Sequence, residues 1–195
     1  MLASMVAPAF AAKPTVVEDV WFVIAIGISP NYVTPGKVWW TGGDTVLHNH
    51  GTILDALIAR SPTTAGSIFI GTARFEMNFD FDTAAGKGTT VMKVTFDFTD
   101  SDLVRNPYGV GTLEGILVAE VTTLNQFDST LPGVATGFVV ATHGTEAFEN
   151  AKLKADLDMK SALFGGVLPF EFIYFGTHRD YLDNEGVLTY HNPGP

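Results

Sequence analysis

Along residues 73–82, ARFEMNFDFD, apolar and polar side chains alternate almost without a break. Phe75, Met77, Phe79 and Phe81 fall on one face; Arg74, Glu76, Asn78, Asp80 and Asp82 fall on the other. Successive side chains of a strand point to opposite faces, so this period of two predicts a half-buried antiparallel strand with one wet face. AAGKG at 84–88 follows and supplies glycines for a tight reversal. The chain returns as TTVMKVTFDFTD, with Met92, Val94, Phe96 and Phe98 opposite Lys93, Thr95 and Asp97. Two such runs about a glycine turn predict a hairpin whose apolar faces share one interior.

The same pattern recurs downstream. Strands are predicted over 110–125, with Gly111 and Gly115 as bend or bulge points, and over 134–145 after a loop at Leu131-Pro132-Gly133. Residues 147–160 contain good helix formers, yet apolar residues recur at 153, 155, 157 and 159, so a strand is predicted there too. Further strands are expected over 168–178 and 186–191, and a buried one over VWFVIAIGI, 20–28. One helix is predicted, over 51–62, where Ile53, Leu54, Leu57 and Ile58 take helical spacing and Pro62 marks a stop. Seven or eight strands with one short helix and no long linker predict an all-β fold, a single antiparallel β-barrel of about eight strands. Closure into a barrel removes the edges that such apolar strands would otherwise expose.

Composition fits one domain: 195 residues, 46% hydrophobic and 16% charged, with 15 phenylalanines and 20 glycines. A formal charge of −10 and 11 scattered basic residues disfavour nucleic acid as a partner. Zero cysteines exclude disulfides, thiolate metal sites and a cysteine nucleophile. At the N-terminus, MLASMVAPAFAAKP carries Ala9-Phe10-Ala11, the A-x-A form that precedes signal-peptide cleavage. About ten apolar residues are too few to span a bilayer. Residues 1–11 are therefore expected to be the remnant of a cleaved signal peptide and 12–195 the barrel domain, secreted or periplasmic.

THGTEAFENAKLKAD, 142–156, resembles the strand–turn–strand of the allene oxide cyclase-like and dirigent-like barrels, whose pattern is G-T-G-x-F-x-G-A-x-G. Gly144, Thr145, Phe148 and Ala151 match; Glu146 and Asn150 stand where that pattern has glycines. The resemblance implies an eight-stranded barrel around an apolar cavity, export, and a homo-oligomer, dimer or trimer. It carries over no catalytic residue.

Two segments offer chemistry. VLHNHG, 46–51, places His48 and His50 two apart, on one face of a strand. With Asp55 they would form half of a cupin-like metal site, but no second histidine motif follows, and Pro62 replaces the expected glycine. The expectation is that no metal is held there and that both histidines hydrogen-bond near the barrel rim. FGTHRDYLDNEG, 175–186, could offer His178 and its neighbours at a barrel mouth, although a solvated turn explains them as well. Trp39, Trp40, Phe79, Phe96, Glu146, Phe148, Tyr174 and His178 are the candidate ligand-binding residues; catalytic residues are unassigned and no cofactor is expected. Three functions follow: a barrel that binds an apolar small molecule or self-assembles, a cofactor-free isomerase or cyclase working inside the barrel, and a cupin-like metal-dependent enzyme.

Overall fold

The computed structural model describes residues 14–18, 21–26, 33–59, 68–123, 134–164, 168–176 and 186–190, and side chains at 14–16, 34–58, 68–122, 136–156 and 188–190. Among these residues twelve strands follow one another: β1 Thr15–Glu18, β2 Trp21–Ile26, β3 Val33–Thr34, β4 Lys37–Thr41, β5 Val46–Ala59, β6 Phe69–Asp82, β7 Lys87–Phe98, β8 Gly111–Thr123, β9 Val134–Gly144, β10 Lys152–Phe164, β11 Leu168–Gly176 and β12 Gly186–Tyr190. Eight of them form an antiparallel circuit. From β10 it runs through β11, β2, β5, β6, β7, β8 and β9, and the β9–β10 pairing over Leu153–Lys160 returns it to its start. The predicted antiparallel barrel is therefore present, with β3 and β4 paired onto β5, β12 onto the first half of β10, and β1 onto β12. Among the described residues no helix is long and apolar enough to cross a membrane.

The hairpin read from the alternation is β6 and β7, joined by a turn in which Gly86 takes φ 64°. Phe75, Phe79, Phe81, Met92, Val94, Phe96 and Phe98 are buried together, and Met77 packs against them. The strand predicted over 147–160 is β10, which begins at Lys152; a 3-10 turn at Glu146–Phe148 precedes it. The first eleven residues, the Leu131-Pro132-Gly133 loop and the loop with His178 lie outside the described residues.

The predicted helix over 51–62 is not formed: residues 51–59 are the second half of β5. Gly51, at φ 76°, sits in a bulge, and pairing to β6 slips by one residue between His50 and Thr52. Leu47 and Asn49 are buried before the bulge; Thr52, Ala56 and Ile58 are buried after it. A one-residue slip exchanges the two faces of a strand. The inward series therefore changes phase at Gly51. The helical spacing of Ile53, Leu54, Leu57 and Ile58 arises after the bulge, because Ile53 and Leu57 put apolar side chains on the face opposite Leu54 and Ile58.

Paired residues stack into rungs across the barrel, and the rungs differ in size. At one end, here the base, Ile58, Ile70, Phe98, Tyr108, Leu113, Phe148 and Tyr190 are all buried. Phe148 stacks on Phe98 at 4.9 Å and on Tyr190 at 5.7 Å, while Phe98 meets Tyr108 at 5.9 Å. The β7–β8 loop is fixed to this plug: the buried Asn106 donates to the carbonyls of Asp100 and Gly109, both at 2.8 Å, and Tyr190 donates to the carbonyl of Pro107 at 3.3 Å. Toward the other end, Phe79 is followed around the wall by Thr90, Ala119 and Gly137. A Cβ at Gly137 would lie 2.0 Å from the Val118 carbonyl oxygen, so only glycine lets β8 and β9 come this close.

Candidate functional site

The described side chains of the mouth half of the interior come from β4 to β9. Leu47 pairs with Phe81, and Asn49 with Phe79, so all four inward residues form the upper wall. Val38 and Trp40 of β4 pair with Asn49 and Leu47 and share their face, yet they are 55% and 39% exposed. The wall beside β4 is thus open to solvent, and an apolar strip leads from it to Asn49. Asn49 itself is only 9% exposed. Its Oδ1 accepts the Thr52 hydroxyl at 2.6 Å, and that hydroxyl in turn accepts the Gly36 amide at 3.0 Å. With Oδ1 turned to the Thr52 hydroxyl, the Nδ2 donors of Asn49 are aimed away from Thr52. No acceptor for Nδ2 occurs among the described residues. A buried donor left unpaired costs about 1–3 kcal/mol, so this amide is suited to a ligand's oxygen.

The structure disperses the sequence-level ligand candidates. Phe79 and Trp40 lie at the mouth, whereas Phe96 and Phe148 are fully buried toward the base and complete its packing. Glu146 is exposed in the turn after β9, and the described interior buries no carboxylate; its buried polar residues are Asn49, Thr52, Thr90 and Asn106. Tyr174 lies in β11 opposite Asp158 and Val23, its side chain outside the described residues, as is all of His178. Asn49 was missed because it sits between the two histidines in a stretch that draws attention to its imidazoles. Its inward position follows from the alternation that makes Leu47 inward.

On the outer wall, Trp39 faces away from the lumen. Its ring stacks on His48 at 4.9 Å with an interplanar angle of 10° and meets His50 edge-on at 4.7 Å. His48 Nδ1 lies 2.5 Å from Asp80 Oδ1, and its Nε2 lies 2.8 Å from the Thr41 hydroxyl. His50 Nε2 is directed at the same Asp80 oxygen, 3.5 Å away. The carboxylate that joins the histidines is therefore Asp80, across the sheet, rather than Asp55. Five residues along a strand separate Asp55 from His50 by about 16 Å, too far to share an ion. Asp55 instead receives a two-pronged contact from Arg74, at 2.6 and 2.8 Å, and this hydrogen bonding holds its carboxyl below the usual aspartate range.

No protein-family model matches the sequence, and no curated protein matches it. Among solved structures the chain is similar to that of the pterocarpan synthase dirigent protein GePTS1, with 15% identity, 91% of this chain and 92% of the other covered, and a TM-score of 0.48. The barrel assignment itself rests on the strand pairings, which close through β9 and β10.

Proposed function

We propose that this chain is an exported β-barrel that binds an apolar small molecule in the mouth half of its lumen, with Asn49 donating a hydrogen bond to an oxygen of that molecule. The observation that carries this is the Asn49 amide, nine-tenths buried in an apolar wall and unpaired at Nδ2 among the described residues. Small side chains opposite Phe79, namely Thr90 and Ala119, with Gly137 beyond them, favour space at that level, while aromatic residues occupy the base. Eight-stranded barrels commonly hold one small ligand in this way, with a few polar groups fixing its orientation. Export is supported by the Ala9-Phe10-Ala11 pattern. An isomerase or cyclase would call for an acid or base directed at the ligand, and the described lumen supplies amide and hydroxyl groups instead.

The test compares naphthalene with 2-acetylnaphthalene by competition against a fluorescent apolar probe. The acetyl compound should bind about tenfold more tightly to the wild type, as one hydrogen bond to a buried donor implies. Asn49→Leu should bring the two affinities together. Equal affinities in the wild type would remove Asn49 from the site.

Self-assembly is supported by a separate observation. On the outer wall of β7, β8 and β9, Val91, Ile116, Phe138 and Val140 are exposed, and Val118 joins Val91 to Phe138 in register. Such a contiguous apolar strip suits a second copy of the chain. Light scattering of Phe138→Lys should then report a smaller particle than the wild type.

A further inference from the structure

We infer that His48, His50 and Asp80 form a binding site for one late first-row divalent metal ion, of which Zn²⁺ is the natural probe. One ligand atom from each lies within 4.8 Å of the other two, and the three residues come from two adjacent strands of a rigid wall. Ligand bonds of about 2.0–2.2 Å in a tetrahedral site place neighbouring ligand atoms about 3.3 Å apart. The His50–Asp80 separation of 3.5 Å already meets that spacing, and the 2.5 Å His48–Asp80 hydrogen bond needs to open by less than an ångström. Two imidazoles and one carboxylate favour Zn²⁺, Ni²⁺ or Cu²⁺ over the hard cations Mg²⁺ and Ca²⁺.

The surroundings are organised as a metal site requires. The Thr41 hydroxyl at 2.8 Å can accept the Nε2 proton of His48, leaving Nδ1 as the lone-pair donor on the Asp80 side. Trp39 stacks on one imidazole and braces the other edge-on, so both rings are oriented by the same indole. Asp80 and His50 are 51% and 47% exposed, so an ion there is reached directly from solvent and keeps a position for water. The three residues sit opposite the lumen wall: His48 and His50 point outward on either side of the inward Asn49. An ion would tie β5 to β6 directly beside the residue proposed to hold the small molecule.

The experiment uses tag-free, chelator-treated full-length protein, titrated calorimetrically with Zn²⁺ and followed in parallel by thermal unfolding. The wild type should bind one equivalent and unfold at a higher temperature with zinc than without it. Asp80→Asn and His50→Ala should each weaken binding at least tenfold, and Thr41→Val should weaken it by about tenfold through loss of the hydroxyl that orients the His48 ring. Asp55→Asn should bind as the wild type does, because Asp55 belongs to Arg74. Thr41, His50 and Asp80 are exposed and Asp55 is half-buried, and unchanged far-UV circular dichroism confirms that each variant is folded. Binding of well under one equivalent by the wild type, or full binding by Asp80→Asn, would show an adventitious ion only and overturn the assignment.

Discussion

Phe148 is the residue whose loss the base of the barrel should feel most. It is 0% exposed, stacks between Phe98 and Tyr190, and belongs to the turn that reverses the chain from β9 into β10. A phenylalanine buries about 150–200 Å², which at about 25 cal/mol per Å² is about 4–5 kcal/mol, of which alanine retains a part. Two stacked ring contacts add about 0.5–1.5 kcal/mol each beyond area. The surrounding plug is held by strand pairing and by the Asn106 hydrogen bonds, so it can collapse only partly into the space left. Phe148→Ala should therefore cost about 3–5 kcal/mol. Urea unfolding followed by tryptophan fluorescence and circular dichroism measures this, with an unchanged m-value showing that two-state behaviour persists. Val104→Ala is the control, since Val104 is 87% exposed in the β7–β8 loop and its loss should cost under about 1 kcal/mol. A Phe148→Ala loss as small as the control's would mean that the aromatic plug is not the barrel's base.

Further outcomes follow from the outer wall and the turn. Arg74 lowers the Asp55 pKa in the folded state, so the pair contributes stability above the ordinary aspartate pKa and loses it as pH falls through the folded value. The stability difference between wild type and Asp55→Asn should thus be present at neutral pH, small because both groups are solvated, and absent in strong acid; chemical denaturation at each pH measures it. Glu146 takes φ 53° where the resembled pattern has glycine, a conformation that costs a side chain about 1–2 kcal/mol. Glu146→Gly should raise stability by up to about 1 kcal/mol after glycine's greater unfolded-state entropy is subtracted, as read from the urea midpoint.

The sequence made the β6–β7 hairpin legible because both strands alternate without a fault and a glycine turn fixes their register. It misplaced residues 51–59 because both faces of this half of β5 carry apolar side chains, Ile53 and Leu57 on one and Leu54 and Ile58 on the other, and together they take helical spacing. The Gly51 bulge hid the partner of the histidines. Pairs before it add to a residue sum of 128, as His48 and Asp80 do, and pairs after it to 129, as Asp55 and Arg74 do. Asp80 could be assigned to a wet face from its own strand, but not to its opposite number on β5. The strand–turn–strand at 142–156 was legible through its pattern, and the positive φ at Glu146 and Asn150 occurs at two of the places where the pattern has glycine and this chain does not. Trp39 was misjudged as a lumen residue, since a tryptophan pair does not reveal which of its members faces inward. The register gives the lumen side to Trp40.

The central claim is that the mouth half of the lumen receives one apolar molecule, and titration with N-phenyl-1-naphthylamine tests it most directly. The probe is uncharged and fluoresces on leaving water. Ala119 lies on the rung that carries Asn49 and Phe79 and is 3% exposed, so Ala119→Phe places a ring where the probe would sit. The account predicts saturable binding at one probe per chain in the wild type and loss of that binding in folded Ala119→Phe, while Val104→Ala in the exposed β7–β8 loop binds as the wild type does. Absence of saturable binding in the wild type, or equal binding by Ala119→Phe, would contradict it.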